Sequence, residues 1–338
     1  MYYQFYGLKE APFNLTPDPR FCFLTNSHRE VLANLQYGVQ ARKGLIVMTG
    51  EVGTGKTTMI RSLFETLDKT VLAAYILNPK LSLSDFLQLL VINFGLKNVT
   101  SKATLLERLG KLLVDRHARG LITALIIDEA HALSAQLLEE VRLLSNFETY
   151  NQKLLQIVLS GQPELRDLLN RPELRQLKQR ISLRCHIKPL TPAETRNYIL
   201  SRLEIAGAVN PFIFANRAIE LVYQYSAGVP RIINNICDNA LLSGFALERG
   251  LIGEDIIREV ARDFDLEPPT SDFNTTAPDV SLALEPSGAG EVDVEQRQPP
   301  GELARTDAIS GQAIRHGGPQ AFGGACKQER RWLRLFKM

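Results

Sequence analysis

Eight consecutive residues near the start of the chain have the types and spacing of a phosphate-binding loop. They run Gly50-Glu51-Val52-Gly53-Thr54-Gly55-Lys56-Thr57, and Thr58 follows them. Glycines let the backbone turn tightly, so that its N–H groups point inward at phosphate oxygens. We expect Lys56 to reach the β- and γ-phosphates and the Thr57 hydroxyl to ligate Mg²⁺. The loop and Thr58 are therefore predicted to bind a nucleoside triphosphate.

The residues on either side of this loop have the patterns of a strand and a helix. The apolar run from Leu45 to Met48 precedes the loop and is typical of a buried strand, and the run from Thr58 to Phe64 is typical of a helix. A strand, a loop and a helix in this order are the context that the motif needs. A helix that begins near Lys56 would add unpaired N–H donors and the positive end of its dipole to the site.

A second motif places two adjacent carboxylates at the end of another apolar run. Leu125-Ile126-Ile127 is followed by Asp128 and Glu129, which is the form of a Walker B element. Successive residues of a strand point to opposite sides, so the two carboxylates can perform two tasks. We expect Asp128 to hold Mg²⁺ through its water shell and Glu129 to polarise the attacking water. The two motifs together predict hydrolysis of the bound nucleotide.

Other classes of phosphate-loop protein fit the sequence less well. The sequence has no Asn-Lys-x-Asp element that reads guanine, which disfavours a GTPase. Leu159-Ser160-Gly161-Gln162 faintly resembles the transporter-ATPase signature, but it follows the acidic pair and should precede it. Asp128-Glu129-Ala130-His131 has the letters of a DEAH helicase, but the remaining chain cannot supply a second ATP-binding fold. His131 is therefore expected at a helix start near the site, and the nucleotide is expected to be ATP.

Periodicity and composition divide the chain into four segments. Residues 1–44 are rich in aromatics and proline and predict an N-terminal arm packed on the core, with contact to the adenine ring as the alternative. Residues 45–190 alternate β-branched runs with helical patterns, which is typical of a parallel α/β sheet. Residues 191–266 have a helical pattern only and predict a small lid. Residues 267–338 have few large apolar residues before a basic, amphipathic end and predict a disordered tail. The predicted strands are Leu45–Thr49, Val71–Ile76, Leu121–Ile127, Leu154–Leu159 and Ser182–Ile187.

The overall composition is that of an ordinary globular protein. Hydrophobic residues make up 45% of the 338 residues, and 39 Lys and Arg against 37 Asp and Glu give a net charge of +2. This balance favours neither nucleic acid nor membrane as a partner.

The four cysteines lack metal-ligand spacing, and the longest apolar stretch, Phe86 to Leu96, is too short to span a bilayer. No signal peptide is evident, so we expect a cytoplasmic protein, with peripheral attachment to the inner membrane as the alternative. The basic, amphipathic end from Lys327 to Met338 is either solvated or a docking peptide for a partner or an anionic surface.

Several short motifs outside these two elements resemble the ExeA/GspA family of AAA+ secretion-pathway ATPases. They are Phe5-Tyr6-Gly7-Leu8, Pro12-Phe13, Thr16-Pro17-Asp18-Pro19, His28, Tyr37-Gly38, Thr49-Gly50-Glu51-Val52-Gly53 and Gly161-Gln162-Pro163-Glu164-Leu165. The resemblance covers residues 1–265. It implies a three-layer α/β nucleotide domain with a helical lid, a homo-oligomer with shared ATP sites, and a protein partner in an envelope secretion, pilus or exopolysaccharide export system. The chain departs from the secretion members because it lacks their transmembrane helix and peptidoglycan-binding region.

The resemblance also implies roles for further polar side chains. Ser160 or Gln162, at the polar end of the fourth strand, would sense the γ-phosphate. Arg180, just before the fifth strand, would be an arginine finger for the neighbouring subunit's nucleotide, with a solvated basic helix as the alternative. Arg231 follows Pro230, which suits a first helical turn. Arg231 would therefore be a second sensor that faces the phosphates from a helix start, with a structural salt bridge as the alternative.

Two functions of different class remain open from the sequence. The first is an assembly ATPase for envelope secretion or polysaccharide export, in which Mg²⁺-assisted attack of water on the γ-phosphate moves the lid. The second is a DNA-associated ATP switch similar to the transposition helper ATPases. The basic segment 171–188 supports the second function, and the balanced net charge argues against strong non-specific DNA binding. A salt-dependent DNA-binding assay would separate the two.

Overall fold

Five parallel strands form the central sheet of the protein. The computed structural model describes residues 2–16, 18–77 and 80–266, so the predicted disordered tail lies outside the described residues. The strands are β1 (Leu45–Gly50), β2 (Val71–Ile76), β3 (Ile122–Ile127), β4 (Leu155–Gly161) and β5 (Ile181–Ile187). The helices are α1 (Tyr2–Phe5), α2 (Asn26–Gln40), α3 (Lys56–Thr66), α4 (Leu83–Phe94), α5 (Lys102–Ala118), α6 (Ala135–Leu144), α7 (Glu164–Leu169), α8 (Arg175–Gln179), α9 (Pro192–Ile205), α10 (Asn216–Ser226), α11 (Pro230–Ala246) and α12 (Glu254–Asp263). The predicted parallel α/β fold is confirmed.

The strand order brings three predicted site segments to one edge of the sheet. The order is β2-β3-β4-β1-β5, and each pair of neighbours is parallel. The carboxyl ends of β3, β4 and β1 therefore lie side by side. The acidic pair follows β3, the polar residues Ser160 and Gln162 lie at the end of β4, and the phosphate loop follows β1. The topology thus builds one site from segments that are far apart in the chain.

Helices cover both faces of the sheet and complete a three-layer arrangement. On one face, α2 and α3 pack on the strands through fully buried side chains that include Leu35 and Leu63. On the other face, α4, α5 and α6 do so through Leu90, Leu109 and Leu138. All six residues of β3 are buried, which explains why its sequence is apolar except for Thr123, whose hydroxyl accepts from the Arg116 Nε.

A separate cluster of buried residues lies in the helical region α9–α12. A capping box begins α9, since Thr191 and Glu194 cap each other's backbone and Pro192 is the first helical residue. Leu8, Phe13 and Phe21 of the N-terminal segment belong to this helical core. The first part of the predicted arm therefore packs on the lid helices, whereas α2, also within residues 1–44, packs on the sheet.

The side chain of Arg202 holds the N-terminal segment on α9. Its Nε donates to the carbonyl of Pro12 at 2.6 Å, and its guanidinium lies 4.9 Å from the centre of the Phe21 ring. Arg202 is buried. Within the described part of the chain, no helix is long and apolar enough to cross a membrane.

Candidate functional site

The phosphate loop has the local structure that its sequence predicts. β1 ends at Gly50 and α3 begins at Lys56. Gly55, the N-cap of α3, has φ 96° and Gly53 has φ 81°, a region that L side chains rarely adopt. These glycines let the chain pass from strand to helix in a tight turn. The N-terminal N–H groups of α3 are thereby left available for an anion.

The Lys56 ammonium lies inside the loop. Its Nζ donates to the carbonyls of Gly50 at 2.9 Å and Glu51 at 3.0 Å, and the residue is buried. Burial lowers the pKa of Lys56 from its ordinary value, and the negative charges of Glu129 and Asp128 oppose this change. A cation held by neutral carbonyls is ready to exchange them for phosphate oxygens.

Asp128 is fully buried and is held by several donors. The Thr57 Oγ1 donates to its Oδ2 at 2.8 Å, and the Ser160 Oγ donates to its Oδ1 at 2.8 Å. The Tyr75 hydroxyl also donates to Oδ2, at 3.2 Å, and the Tyr75 pKa is raised by burial and by the charge of Asp128. The two predicted Mg²⁺ ligands, Thr57 and Asp128, are thus in direct contact. The hydroxyl and carboxylate oxygens that they supply are the kind of ligand that Mg²⁺ accepts.

Glu129 lies beside Asp128 with a different environment. Its side chain is 39% exposed, and its backbone has φ 54°, which is uncommon for a residue other than glycine. The Gln162 Nε2 donates to its Oε2 at 3.4 Å. His131 belongs to a short 3₁₀ helix at residues 130–132, and its Nδ1 accepts the backbone N–H of Gln162 at 3.3 Å. The structure therefore places Glu129 at the solvent side of the acidic pair, next to Gln162.

Arg231 lies where α11 meets the phosphate loop. Pro230 is the first residue of α11, as the sequence predicts, and the backbone N–H of Arg231 donates to the carbonyl of Gly53 at 3.3 Å. A Cβ added at Gly53 would lie 2.6 Å from the Cβ of Arg231, so only glycine allows this approach. Among the described residues, no carboxylate lies within salt-bridge distance of Arg231. This finding disfavours the alternative of a structural salt bridge.

Arg180 is the one predicted site residue that lies away from this edge. It follows α8 and precedes β5, whose first residue, Ile181, pairs with Leu45. The phosphate loop follows the other end of β1, where Gly50 pairs with Ile187. At about 3.3 Å per residue, the five steps from Leu45 to Gly50 place the two ends of the strand about 17 Å apart. Arg180 therefore cannot reach the phosphate loop of its own chain.

A cavity of about 470 Å³ joins the phosphate loop to the lid helices and the N-terminal segment. Its lining includes Phe23, Tyr198 and Arg231 besides the loop itself. His28, one of the residues that carry the family resemblance, also lines the cavity, although the sequence predicted no role for it there. Its Nδ1 accepts the backbone N–H of Thr25 at 3.4 Å in the capping box of α2, and its Nε2 lies 3.4 Å from the Thr54 carbonyl. Burial lowers the pKa of His28.

Comparison with known sequences agrees with this architecture. Residues 39–169 match the AAA domain family. The chain is 44% identical over 249 residues to general secretion pathway protein A of Aeromonas hydrophila, which covers 73% of this chain and 45% of that protein. The chain therefore spans less than half the length of this relative. The resemblance inferred from the short motifs is confirmed.

Solved structures with the same fold include proteins of low sequence identity. The ORC2 protein of Aeropyrum pernix in its ADPNP–ADP complexes is 18% identical, with a TM-score of 0.55 over 75% of this chain and 71% of that one. Cdc6p of Pyrobaculum aerophilum is 16% identical, with a TM-score of 0.57 over 75% of this chain and 70% of that one. At these identities the likeness concerns the fold alone.

Proposed function

This chain is an AAA-domain protein related to general secretion pathway protein A, and we propose that it binds ATP with Mg²⁺ and hydrolyses the γ-phosphate. The observation that carries this proposal is the contact between Thr57 and Asp128, at 2.8 Å. Thr57 lines the same cavity as Lys56 and Glu129, and Asp128 is buried behind it. A phosphate-loop hydroxyl and a strand-end carboxylate meet at the start of α3. This is the arrangement that a metal-bound triphosphate requires.

The residues of the loop would divide the binding of ATP among them. The backbone N–H groups from Gly50 to Thr58 would surround the phosphates, and Lys56 would leave the two carbonyls that it now contacts. Thr57 and Asp128 fit Mg²⁺, which supplies positive charge against the β- and γ-phosphates when it is bound. Ser160 and Tyr75 would keep the Asp128 carboxylate oriented, because both donate to it.

Glu129 would act as the general base for the attacking water. Asp128 is buried, and its two oxygens accept from Thr57, Tyr75 and Ser160. Glu129 is partly exposed, and its Oε2 lies 3.4 Å from the Gln162 Nε2 and 3.5 Å from the His131 Nδ1, so its Oε1 is the oxygen that can face a water molecule. A base needs a free lone pair that points at a water molecule. We assign the sensing of the γ-phosphate to Gln162 and the support of Asp128 to Ser160. Gln162 lines the cavity and its amide can move from Glu129 to a phosphate oxygen.

The positions of Arg180 and Arg231 support an oligomer with shared sites and a moving lid. Arg180 is too far from its own phosphate loop, so a role in hydrolysis requires the nucleotide of a second copy. Arg231 contacts Gly53 directly, so α11 would follow changes in the loop. Residues 191–266 would move as the lid together with the N-terminal segment that Arg202 holds.

The cellular role that we propose is that of a cytoplasmic assembly ATPase. Its partner would belong to an envelope secretion, pilus or exopolysaccharide export system, with peripheral attachment to the inner membrane. The name of the relative from Aeromonas hydrophila supports a role in secretion. We keep the DNA-associated ATP switch as the second candidate, because a basic surface on the loops that lead into the strands favours it.

The decisive experiment compares wild-type protein with Glu129→Gln. The amide keeps the shape of the side chain and cannot accept the proton, so steady-state hydrolysis should fall by about 10²–10⁴-fold while ATP stays bound. Phosphate release with and without Mg²⁺ measures turnover, and a fluorescent ATP analogue measures binding. Glu139→Gln, on the surface of α6, is the matched control and should hydrolyse normally. Wild-type protein that binds no ATP, or turnover that Glu129→Gln leaves unchanged, would refute the proposal.

A further inference from the structure

The loops that lead into the strands form a second edge of the sheet, at the opposite end from the phosphate loop. We call this the amino edge and define it as residues 41–44, 67–70, 119–121, 145–154 and 180. The Ser182 Oγ donates to the carbonyl of Lys43 at 2.6 Å, and the Arg42 Nη2 donates to that of Leu121 at 3.0 Å. The neighbouring loops join on either side, since the Ile122 N–H donates to the carbonyl of Thr70 at 3.1 Å and the Lys153 side chain packs against Gly44. The amino edge is therefore one continuous surface.

The amino edge is strongly basic although the whole chain is nearly neutral. It carries six cations and two carboxylates, so its net charge is +4, whereas that of the chain is +2. The cations are Arg42, Lys43, Lys69, Arg119, Lys153 and Arg180, and the carboxylates are Asp68 and Glu148. Just behind them, Asp115 and Arg116 of the last turn of α5 add one charge of each sign, which leaves this net charge unchanged. The cations come from five separate loops, so the sequence shows no basic run there.

Few of these charges are neutralised locally. Glu148 pairs with Lys153, and Arg119 pairs with Asp115 at 2.7 Å. Within the described ranges, no carboxylate lies within 4 Å of the cationic groups of Lys43, Lys69 or Arg180. Without Arg180, which the proposed hydrolysis assigns to a neighbouring nucleotide, the amino edge still has a net charge of +3.

Interactions of basic side chains with helix C-termini explain part of the positive charge of the amino edge. Helices α2, α3, α5 and α8 end at the amino edge, and basic side chains near helix C-termini stabilise the exposed carbonyls. Arg42 donates to the carbonyls of Gly120 and Leu121, in the loop that follows α5. The same reasoning does not explain Tyr150, a neutral aromatic residue in the middle of the basic surface.

Tyr150 projects from the tip of a short hairpin that precedes β4. The hairpin is closed by the backbone bonds from Leu154 to Phe147, at 2.9 Å, and from Thr149 to Gln152, at 2.8 Å. The Tyr150 side chain is fully exposed, and it is the single exposed large hydrophobic residue of the amino edge. Many proteins bind single-stranded nucleic acid with exposed aromatic rings among cations. The bases stack on the rings, and the backbone phosphates contact the cations.

We propose that the amino edge binds single-stranded DNA, with a base stacked on Tyr150 and the backbone phosphates against Lys43 and Lys69. Five strands about 4.8 Å apart give the surface a width of roughly 19 Å, enough for several nucleotides. In duplex DNA the bases are paired and stacked inside the helix, so they cannot stack on an exposed ring. An anionic membrane would favour more than one apolar side chain at the surface.

Fluorescence anisotropy with a labelled 30-nucleotide thymidine strand tests this proposal in the full chain. Wild-type protein should bind at 50 mM NaCl and weaken as the salt concentration rises. Lys43→Glu with Lys69→Glu should bind at least about tenfold more weakly, and the slope of log K against log salt should fall by about 1.4, at about 0.7 for each phosphate contact. Tyr150→Ala should lose about tenfold in affinity and keep the salt slope.

Matched controls separate this surface from general electrostatic attraction. Arg258→Glu with Arg262→Glu reverses two exposed charges on α12 and should leave affinity within about twofold of wild type. Melting curves and basal ATP hydrolysis of each variant check the fold. The proposal fails if wild-type protein does not bind the strand at 50 mM NaCl, or if the α12 variant loses as much affinity as the amino-edge variant. It also fails if duplex DNA or anionic vesicles bind as tightly as the strand and Tyr150→Ala has no effect.

Discussion

The Ser160 hydroxyl donates a hydrogen bond to the Asp128 carboxylate at 2.8 Å, across the neighbouring strands β4 and β3. Both residues are fully buried, so the bond is protected from solvent. Two residues further on, Gln162 has left the strand, lines the cavity and reaches Glu129. The sequence left Ser160 and Gln162 as equal candidates for the γ-phosphate sensor, and their different partners predict different roles.

Replacement of these two residues should therefore give different kinetic defects. Gln162→Ala removes a donor that acts on the γ-phosphate, so kcat should fall by about 10²–10³-fold with little change in ATP affinity. Ser160→Ala leaves Asp128 with one donor fewer, so it should lower stability by about 1–3 kcal/mol and raise the Mg²⁺ concentration needed for half-maximal turnover. Steady-state kinetics at varied ATP and Mg²⁺ measure both effects. Equal defects in both variants would contradict this separation of roles.

Lys56→Ala should abolish tight ATP binding and leave the fold intact. The ammonium contacts only two backbone carbonyls of its own loop in this structure, and water can replace it there. Titration with a fluorescent ATP analogue should show a large loss of affinity, and the melting temperature without nucleotide should stay near that of wild type. Lys111→Ala, on the exposed face of α5, serves as the control. Wild-type affinity in Lys56→Ala would contradict the assignment of the phosphate loop.

Arg180→Ala should reduce hydrolysis without weakening ATP binding, because the arginine would act on the nucleotide of a neighbouring copy. Arginine fingers contribute about 10³–10⁵-fold to the rate. Mixing Arg180→Ala with Glu129→Gln protein should restore part of the activity, since one mixed interface contains both intact groups. Arg171→Ala, an exposed cation of the same segment, should behave as wild type. The shared site would be excluded by a lack of rescue together with turnover per chain that does not depend on protein concentration.

The sequence predicted local features well and long-range contacts poorly. The bounds of the five strands agree within two residues, because β1 to β4 are mainly apolar runs and β5 alternates apolar and polar residues, and polar turns separate them. The contact between Asp128 and Thr57 could be expected, because Thr57 belongs to the phosphate loop and Asp128 to the Walker B element. The hydrogen bond from Arg202 to the Pro12 carbonyl joins residues 190 positions apart, so no local sequence pattern indicates it. The basic amino edge could not be predicted from the sequence either, because the fold brings together cations from separate loops.

The buried histidine His28 should make stability depend on pH. Its Nδ1 accepts from the backbone of Thr25, so its Nε2 carries the proton and donates to the Thr54 carbonyl of the phosphate loop. A second proton on Nδ1 would remove the first of these bonds. In agreement with this, burial lowers the pKa of His28 below the ordinary value of 6.5.

The sign of the effect follows from linkage. Because the folded protein binds a proton on His28 less readily than the unfolded chain, its stabilising contribution is complete above about pH 6.5 and is lost as the pH falls below that value. His28→Asn cannot titrate, and it should lower stability at pH 7.5 by about 1 kcal/mol through the loss of the bond to Thr54. Urea unfolding at pH 7.5, 6.5 and 5.5 should show a smaller pH dependence in His28→Asn than in wild type. His186→Asn, at an exposed position of β5, should keep the wild-type dependence, and an identical dependence in all three proteins would rule out His28 as its source.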